Sequence, residues 1–161
     1  LIALNSKGIL VSRFAEDREI AFLSRATGLR VERLQFKHTS IGNLIAGNDS
    51  GAIVSSILPS EVRSFVEDVL DVSTEAMSIA SYPQVGSMLV ASNSGAIIHP
   101  KASEEEIGVV GDVLKVDVQP ATVNNGVPFV SSGLVVNSRN AVVGSLTSGP
   151  ELMILSRTFK I

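Results

Sequence analysis

The chain has 161 residues, of which 45% are hydrophobic, 18% are charged and none is cysteine. This apolar content suffices for one folded domain, and the lack of cysteine excludes disulfides, thiolate zinc sites and cysteine nucleophiles. The formal net charge of −3 and an aromatic content of 4%, with no tryptophan, argue against free nucleic acid as a partner, because they provide neither an attractive field for phosphates nor rings for base stacking.

An eleven-residue pattern occurs four times along the chain. The four copies are LIALNSKGILV from Leu1, LIAGNDSGAIV from Leu44, MLVASNSGAII from Met88 and GLVVNSRNAVV from Gly133. Each copy reads as an apolar strand, a polar turn and a second apolar strand, which predicts a β-hairpin. The turn position is occupied by Gly8, Gly51, Gly95 and Asn140, at intervals of 43, 44 and 45 residues. Glycine and asparagine tolerate a positive φ, so we predict that conformation at these positions.

A helical pattern follows each hairpin, and sequence signals mark its ends. Gly28 predicts the end of the first helix, and Pro59 the start of the second over Ser60–Leu70. Ser103 and Glu106 form a capping-box pattern, and Ser148 or Gly149 precedes Pro150 at the first position of the fourth helix. The predicted inward-facing residues are Ile20 and Leu23; Val62, Phe65, Val66, Val69 and Leu70; Ile107, Val110 and Leu114; and Leu152, Leu155 and Phe159.

Three copies continue with a further predicted strand, at Leu29–Phe36, Ser73–Ala80 and Val116–Val123. The repeating unit is therefore predicted to be ββαβ. A unit of about 45 residues cannot bury both its sheet face and its helix alone, so neighbouring units must share a core. We expect one α+β domain over residues 1–161, with modules at approximately 1–40, 41–84, 85–129 and 130–161.

The residues that commonly carry catalysis or bind metals have simpler structural interpretations here. His38 and His99 have no second ligand at metal spacing. Glu104, Glu105 and Glu106 occupy a predicted first helical turn, where the exposed backbone N–H groups stabilise negative charge. No phosphate-binding glycine loop is present. We therefore predict no catalytic residue, no metal site and no cofactor.

Several short strings, taken together with the repeats, resemble the translation initiation factor 6 family, in its archaeal rather than its eukaryotic form. These strings are Asn5-Ser6-Lys7-Gly8, Ile41-Gly42-Asn43, Asn48-Asp49, Val85-Gly86-Ser87, Gly95 with His99-Pro100, Thr122-Val123-Asn124 with Gly126, and Gly149-Pro150-Glu151-Leu152. Asn124 and Gly126 taken alone are more typical of a turn than of a contact.

The resemblance implies a pentein fold, also called an α/β propeller, in which ββαβ modules form a ring with pseudo-fivefold symmetry. Four modules are visible in this sequence, so we expect that the family's first module is lacking. We also expect an exposed sheet edge in the fourth module, with an associated risk of aggregation.

The resemblance further implies a non-enzymatic anti-association factor that binds the large ribosomal subunit, prevents premature joining of the small subunit and is linked to large-subunit biogenesis. Its expected partner is large-subunit ribosomal protein fourteen of the universal set, beside the sarcin–ricin loop, and an elongation-factor-like GTPase is expected to assist release. A membrane-spanning helix needs about 20 consecutive apolar residues, and no apolar run in the sequence approaches that length. We expect a cytoplasmic location.

The residues that the resemblance assigns to ribosome binding are Gly42, Asn43, Gly86, Ser87 and Ser132. Ser131 stands where the other copies have Gly42 and Gly86, and the matching residue of the preceding module would lie before Leu1. A structural interpretation stays open beside this one, in which Gly42 and Gly86 only allow strands to bend near the ring axis.

Two alternatives differ in class from a ribosome-binding factor. A scaffold of the same fold in another protein complex would use a similar surface. The pentein fold also includes amidine-modifying enzymes such as arginine deiminases, but their mechanism requires a cysteine thiolate, which this chain lacks.

Overall fold

The computed structural model describes residues 2–161, so Leu1, the predicted first residue of the first repeat, lies outside the described residues. The strands are β1 Ile2–Leu4, β2 Gly8–Ser12, β3 Arg30–Leu34, β4 Ile45–Gly47, β5 Gly51–Ser55, β6 Ser73–Met77, β7 Leu89–Ala91, β8 Ala96–Ile98, β9 Val118–Pro120, β10 Leu134–Val136 and β11 Ala141–Val143. The helices are α1 Asp17–Thr27, α2 Ser60–Leu70, α3 Val85–Met88, α4 Glu104–Leu114 and α5 Gly149–Phe159. Two 3-10 turns lie at Ile41–Asn43 and Val130–Ser132.

The strands form three three-stranded sheets and one two-stranded sheet, in a mixed α+β architecture. In each three-stranded sheet the two hairpin strands pair antiparallel, and the strand after the helix pairs parallel to the second hairpin strand. This arrangement confirms the predicted ββαβ unit in the first three copies. The third strands are shorter than predicted, since β6 ends at Met77 and β9 at Pro120. In the fourth copy β10 and β11 form the two-stranded sheet.

Neighbouring modules share their cores, as the size of the unit predicts. The first core cluster joins Ala3, Leu10 and Leu34 of the first sheet to residues of the second module that include Val66 and Leu70 of α2. The two other clusters repeat this arrangement with α4 and with α5. The first strands of successive hairpins, β1, β4, β7 and β10, also lie side by side in chain order. The modules therefore follow one another through the same type of packing.

The prediction of positive φ at the turn glycines is wrong, because positive φ among glycines occurs at Gly28 and Gly126 and not at Gly8, Gly51 or Gly95. Asn140 also has no positive φ. The glycines instead allow close packing of the next module. A methyl group on Gly51 would lie 2.8 Å from Cγ1 of Val113 and closer still to the Val113 carbonyl oxygen, at the end of α4. Gly8 and Gly95 face the ends of α2 and α5 in the same way.

Most of the predicted helix ends and inward positions are confirmed in α2, α4 and α5, with one error in α5. Helix α1 buries none of its residues, and the predicted inward-facing Ile20 and Leu23 are only half-buried. The Ser103–Glu106 capping box is present, Gly28 adopts a left-handed conformation at the end of α1, and Ser148 caps α5. Leu155 and Phe159 are buried, but Leu152, predicted to face inward, is 43% exposed. Its neighbour Glu151 is buried instead, at 6% exposure, because that carboxylate has a set of hydrogen-bond donors in the preceding module.

The carboxylate of Glu151 connects α5 to the turn after β9. It accepts hydrogen bonds from the hydroxyl of Thr122 at 2.6 Å, from the backbone N–H groups of Asn125 and Gly126 at 3.0 and 2.9 Å, and from Ser148. Burial raises the pKa of Glu151, but these hydrogen bonds outweigh it and lower the pKa to about 2. Glu106 of α4 binds the backbone N–H of Ala80 in an equivalent contact, at 3.0 Å.

Asn124 and Gly126 form both a turn and a contact between modules. Both have positive φ, at 50° and 104°. The Asn124 side chain packs against Gly133 and Gly144 of the fourth module, where added methyl groups would clash with its amide. The turn therefore positions the fourth hairpin against the third module.

The fourth hairpin is the most exposed of the four. Val135 and Val142 are each 73% exposed, whereas all five residues of β2 and all five of β5 are buried. Among residues 2–161, no strand pairs with β11 on the side opposite β10. The described residues therefore contain an unpaired edge in the fourth sheet, as the resemblance implies.

Candidate protein-docking face

The predicted binding residues lie on three short helical segments that precede the hairpins of successive modules. Gly42 and Asn43 belong to the first 3-10 turn, Gly86 and Ser87 to α3, and Ser132 to the second 3-10 turn. Helix α3 contacts both 3-10 turns. The structure therefore brings the five residues onto one run of neighbouring segments, which we call the docking face.

A close backbone approach between two modules explains Gly86. The residue is buried, and a methyl group on its Cα would lie 2.8 Å from the carbonyl oxygen of Ile45 and closer still to that of Gly42. Only glycine allows α3 to pack against the first 3-10 turn in this way. This contact supports the structural interpretation for Gly86 and does not exclude a binding role for its neighbours.

Ser131 replaces the glycine in the next module and makes a different contact. Its hydroxyl donates to the carbonyl oxygen of Ser87 at 3.4 Å. The packing of the second 3-10 turn on α3 therefore includes a side-chain hydrogen bond, in place of a bare Cα. This difference follows from the departure of Ser131 from the pattern of the other copies.

The polar side chains of the docking face differ in exposure. Asn43 and Ser132 are exposed, and Ser87 is half-buried. The Ser132 hydroxyl donates to the carbonyl oxygen of Phe129 at 2.7 Å, whereas the side chain of Asn43 makes no hydrogen bond with any residue in the range 2–161. None of the five residues is charged. Small, uncharged side chains beside exposed backbone suit close approach of another macromolecule better than a chemical reaction.

Three rings form a cluster beside the docking face that no motif in the sequence predicts. The ring centroid of Tyr82 lies 5.9 Å from the ring centroids of His99 and Phe129, and the ring centroids of His99 and Phe129 are 6.1 Å apart. His99 is buried beneath the two other rings, which are 43% and 40% exposed. The sequence contains one signal for this cluster. Few aromatic residues occur in the chain, and two of them stand close to predicted binding residues: Tyr82 is five residues before Ser87, and Phe129 is three residues before Ser132.

His99 has a structural contact in addition to its ring neighbours. Its Nδ1 accepts a hydrogen bond from the backbone N–H of Lys101 at 3.1 Å. Burial lowers the pKa of His99, and the positive charge of Lys101 lowers it further, against a smaller opposing effect of Glu106. Because Nδ1 accepts this hydrogen bond, the contact requires the neutral imidazole with its proton on Nε2.

Two features are missing from the described part of the chain: a cluster of side chains that could hold a metal ion, and a helix that could cross a membrane. Residues 2–161 contain no group of three or more His, Asp or Glu side chains arranged to hold a metal ion. None of the helices within that range has the length and apolar character required to cross a membrane.

Comparison with known proteins identifies the family. The chain matches the eIF-6 family over residues 1–158. It is 53% identical over 159 residues to translation initiation factor 6 of Cenarchaeum symbiosum, and 53% identical over 159 residues to that of Nitrosopumilus maritimus; each match covers 99% of this chain and 72% of the relative. It is 51% identical over 157 residues to translation initiation factor 6 of Thermococcus gammatolerans, covering 94% of this chain and 69% of the relative. The repeated hairpin–helix units and the extent of these matches lead to one conclusion: the chain belongs to the eIF-6 family.

Proposed function

We propose that this protein is a non-enzymatic translation factor that binds the large ribosomal subunit and blocks premature joining of the small subunit. Family membership supports a role in translation. The observation that carries the proposal is the placement of Asn43, Ser87 and Ser132 on adjoining segments of three successive modules, with Asn43 and Ser132 exposed. A repeated surface of this kind suits a rigid docking platform.

The mechanism that we propose is steric. The docking face contacts a large-subunit ribosomal protein, number fourteen of the universal set, beside the sarcin–ricin loop, and the bound factor occupies space that the small subunit requires. An elongation-factor-like GTPase would then promote release. These partners follow from the resemblance, and the net charge of −3 is suited to a basic protein partner. We place this activity, and the linked role in large-subunit biogenesis, in the cytoplasm.

The architecture that we propose is a pentein ring, in which four ββαβ modules, at approximately 1–40, 41–84, 85–129 and 130–161, follow one another about a common axis. The side-by-side order of β1, β4, β7 and β10 supports this arrangement. So does the recurrence of one contact, a helix end packed on the preceding hairpin, at Gly8, Gly51 and Gly95.

A subunit-joining experiment tests the proposed function. Salt-washed archaeal large and small subunits are mixed with and without the intact protein and separated on a sucrose gradient. We expect the protein to migrate with the large subunit and to reduce the fraction of joined ribosomes. Absence of co-migration would remove the proposal and favour the alternative of a scaffold in a non-ribosomal complex. Co-migration without any effect on joining would retain ribosome binding but remove the anti-association role.

A further inference from the structure

We propose that Tyr82 and Phe129, here called the aromatic pair, anchor a cationic side chain of the protein partner at the docking face. The inference rests on the proposed function, because it takes the partner to be a basic ribosomal protein. It adds two residues and a type of contact that the resemblance does not assign.

The aromatic pair is continuous with the docking face. Phe129 immediately precedes the second 3-10 turn, and its carbonyl oxygen accepts the hydrogen bond from Ser132. Tyr82 lies in the turn before α3, where its backbone N–H and carbonyl pair with those of Ile79. A partner that covers Ser87 and Ser132 would therefore lie beside the segments that carry both rings.

The rings are held in place before any partner binds. Tyr82 and Phe129 are arranged edge to face, with an interplanar angle of 77°, and both pack on the buried His99. About two fifths of each side chain remains exposed. Rigid, partly buried aromatic residues lose little conformational entropy on binding, and such residues are enriched among those that contribute most to protein interfaces.

The charges around the aromatic pair favour a cation. Glu106 accepts a hydrogen bond from the backbone N–H of Ala80, two residues from Tyr82. Glu104 and Glu105 are exposed in the same first turn of α4. The hydrogen bond from Lys101 to Nδ1 requires a neutral His99, and burial lowers the pKa of that imidazole, so the ring does not oppose a positive charge beside it. Lys101 is the basic residue of this segment, and the three glutamates outnumber it. An arginine or lysine over the ring faces gains a cation–π interaction, whereas phosphates would be repelled.

The test measures affinity of the intact protein for salt-washed archaeal large subunits by quantitative co-sedimentation. Tyr82→Leu and Phe129→Leu retain apolar cover over His99 and remove the ring. We expect each to weaken binding about tenfold. Phe129→Tyr, which keeps a ring, should bind more tightly than Phe129→Leu. Phe22→Leu is the matched control, because Phe22 is an exposed ring on α1, and it should have no effect.

Two further arms separate the possible failures. Retained affinity in both leucine variants, with loss of affinity in Asn43→Arg, would overturn the aromatic anchor and leave the proposed function intact. No binding by the wild type would overturn both. Deproteinised large-subunit RNA serves as the second probe: binding to it that depends on Tyr82 and Phe129 would indicate base stacking and overturn the cationic partner. Thermal melting of each variant confirms that the folded protein is being compared.

Discussion

The side-chain amide of Asn5 donates a hydrogen bond to the carbonyl oxygen of Leu70 at 2.8 Å, which joins the first hairpin to the end of the helix in the next module. Asn48 makes the same bond to Leu114, also at 2.8 Å. Each amide also donates a hydrogen bond to a backbone carbonyl oxygen of the next hairpin, that of Asn48 for Asn5 and that of Ser92 for Asn48. Each Oδ1 accepts hydrogen bonds from two backbone N–H groups of its own turn. One asparagine thus organises its turn and holds the following module.

Replacing Asn48 with alanine is expected to destabilise the protein by about 1–3 kcal/mol, because it leaves buried N–H and carbonyl groups without partners. Asn137 is the matched control, since its Oδ1 binds the backbone of its own turn in the same way but its side chain is exposed. Asn137→Ala should cost less than Asn48→Ala in chemical denaturation. Equal losses in the two variants would show that the turn, rather than the contact between modules, determines the stability.

Gly51→Ala tests the close approach of the next helix. The added methyl group would clash with Val113 at the end of α4, and we expect a loss of about 1–3 kcal/mol from overpacking. Gly108→Ala is the control, because its methyl group would meet no atom within 4 Å and would improve helix propensity in α4. Chemical denaturation should show destabilisation in the first variant and a small gain in the second. A gain in both would contradict the packing role of Gly51.

Glu151→Gln should reduce the free energy of unfolding by about 1.5–3 kcal/mol at neutral pH, because charge-assisted hydrogen bonds in a buried site are replaced by weaker or unfavourable ones. Glu104→Gln, in an exposed helical first turn, should change little. Chemical denaturation at neutral pH measures the free energy of unfolding of both variants.

The same carboxylate predicts a dependence of stability on pH. Its pKa is lowered in the folded protein, from 4.5 to about 2, so the unfolded chain binds a proton first as the pH falls. The stabilisation is complete above about pH 4.5 and is lost as the pH decreases towards 2. Glu151→Gln should remove this component of acid destabilisation. An unchanged difference between variant and wild type across that range would contradict the assignment.

Tyr82 provides a spectroscopic test of the ring cluster, because it is the single tyrosine and the chain has no tryptophan. Protonation of the adjacent His99 should quench tyrosine fluorescence, with a midpoint below the usual histidine value of 6.5. His99→Gln should abolish the step, whereas His38→Gln should retain it, because His38 packs on Phe36. A step that survives His99→Gln would exclude the contact as its origin.

The lowered pKa of His99 also sets the sign of its effect on stability. The unfolded chain takes up the proton at higher pH than the folded protein does. The neutral imidazole therefore contributes its full stabilisation of the folded protein above pH 6.5. This stabilisation is lost as the pH falls through the lowered pKa that His99 has in the folded protein. Thermal melting of the wild type and of His99→Gln over this range measures it.

Local signals in the sequence predicted the elements well, and contacts between modules account for the errors. Capping residues and apolar stripes act within one helix, so the start of α4 and the extent of α2 were predictable. The local turn pattern predicts a positive φ for Gly51 and misses its packing role, because the helix packed against it comes from about 60 residues further along the chain. Leu152 was placed inside for a similar reason: the donors that draw Glu151 inward belong to the preceding module.

The candidate site was only partly accessible from the sequence. The family resemblance assigned Gly42, Gly86 and their neighbours, whereas the spatial proximity of Tyr82, His99 and Phe129 depends on packing between two modules. The binding roles of Asn43, Ser87 and Ser132 stay predictions.

The most direct test of the central claim is the affinity of Asn43→Arg for salt-washed archaeal large subunits, measured in the intact protein. Asn43 is exposed and its side chain makes no hydrogen bond with residues 2–161, so the bulky substitution should leave the melting temperature almost unchanged. Ala26→Arg, at an exposed position of α1, adds the same charge away from the docking face. The account predicts at least about tenfold weaker binding for Asn43→Arg and wild-type binding for Ala26→Arg. Wild-type affinity in Asn43→Arg would contradict it.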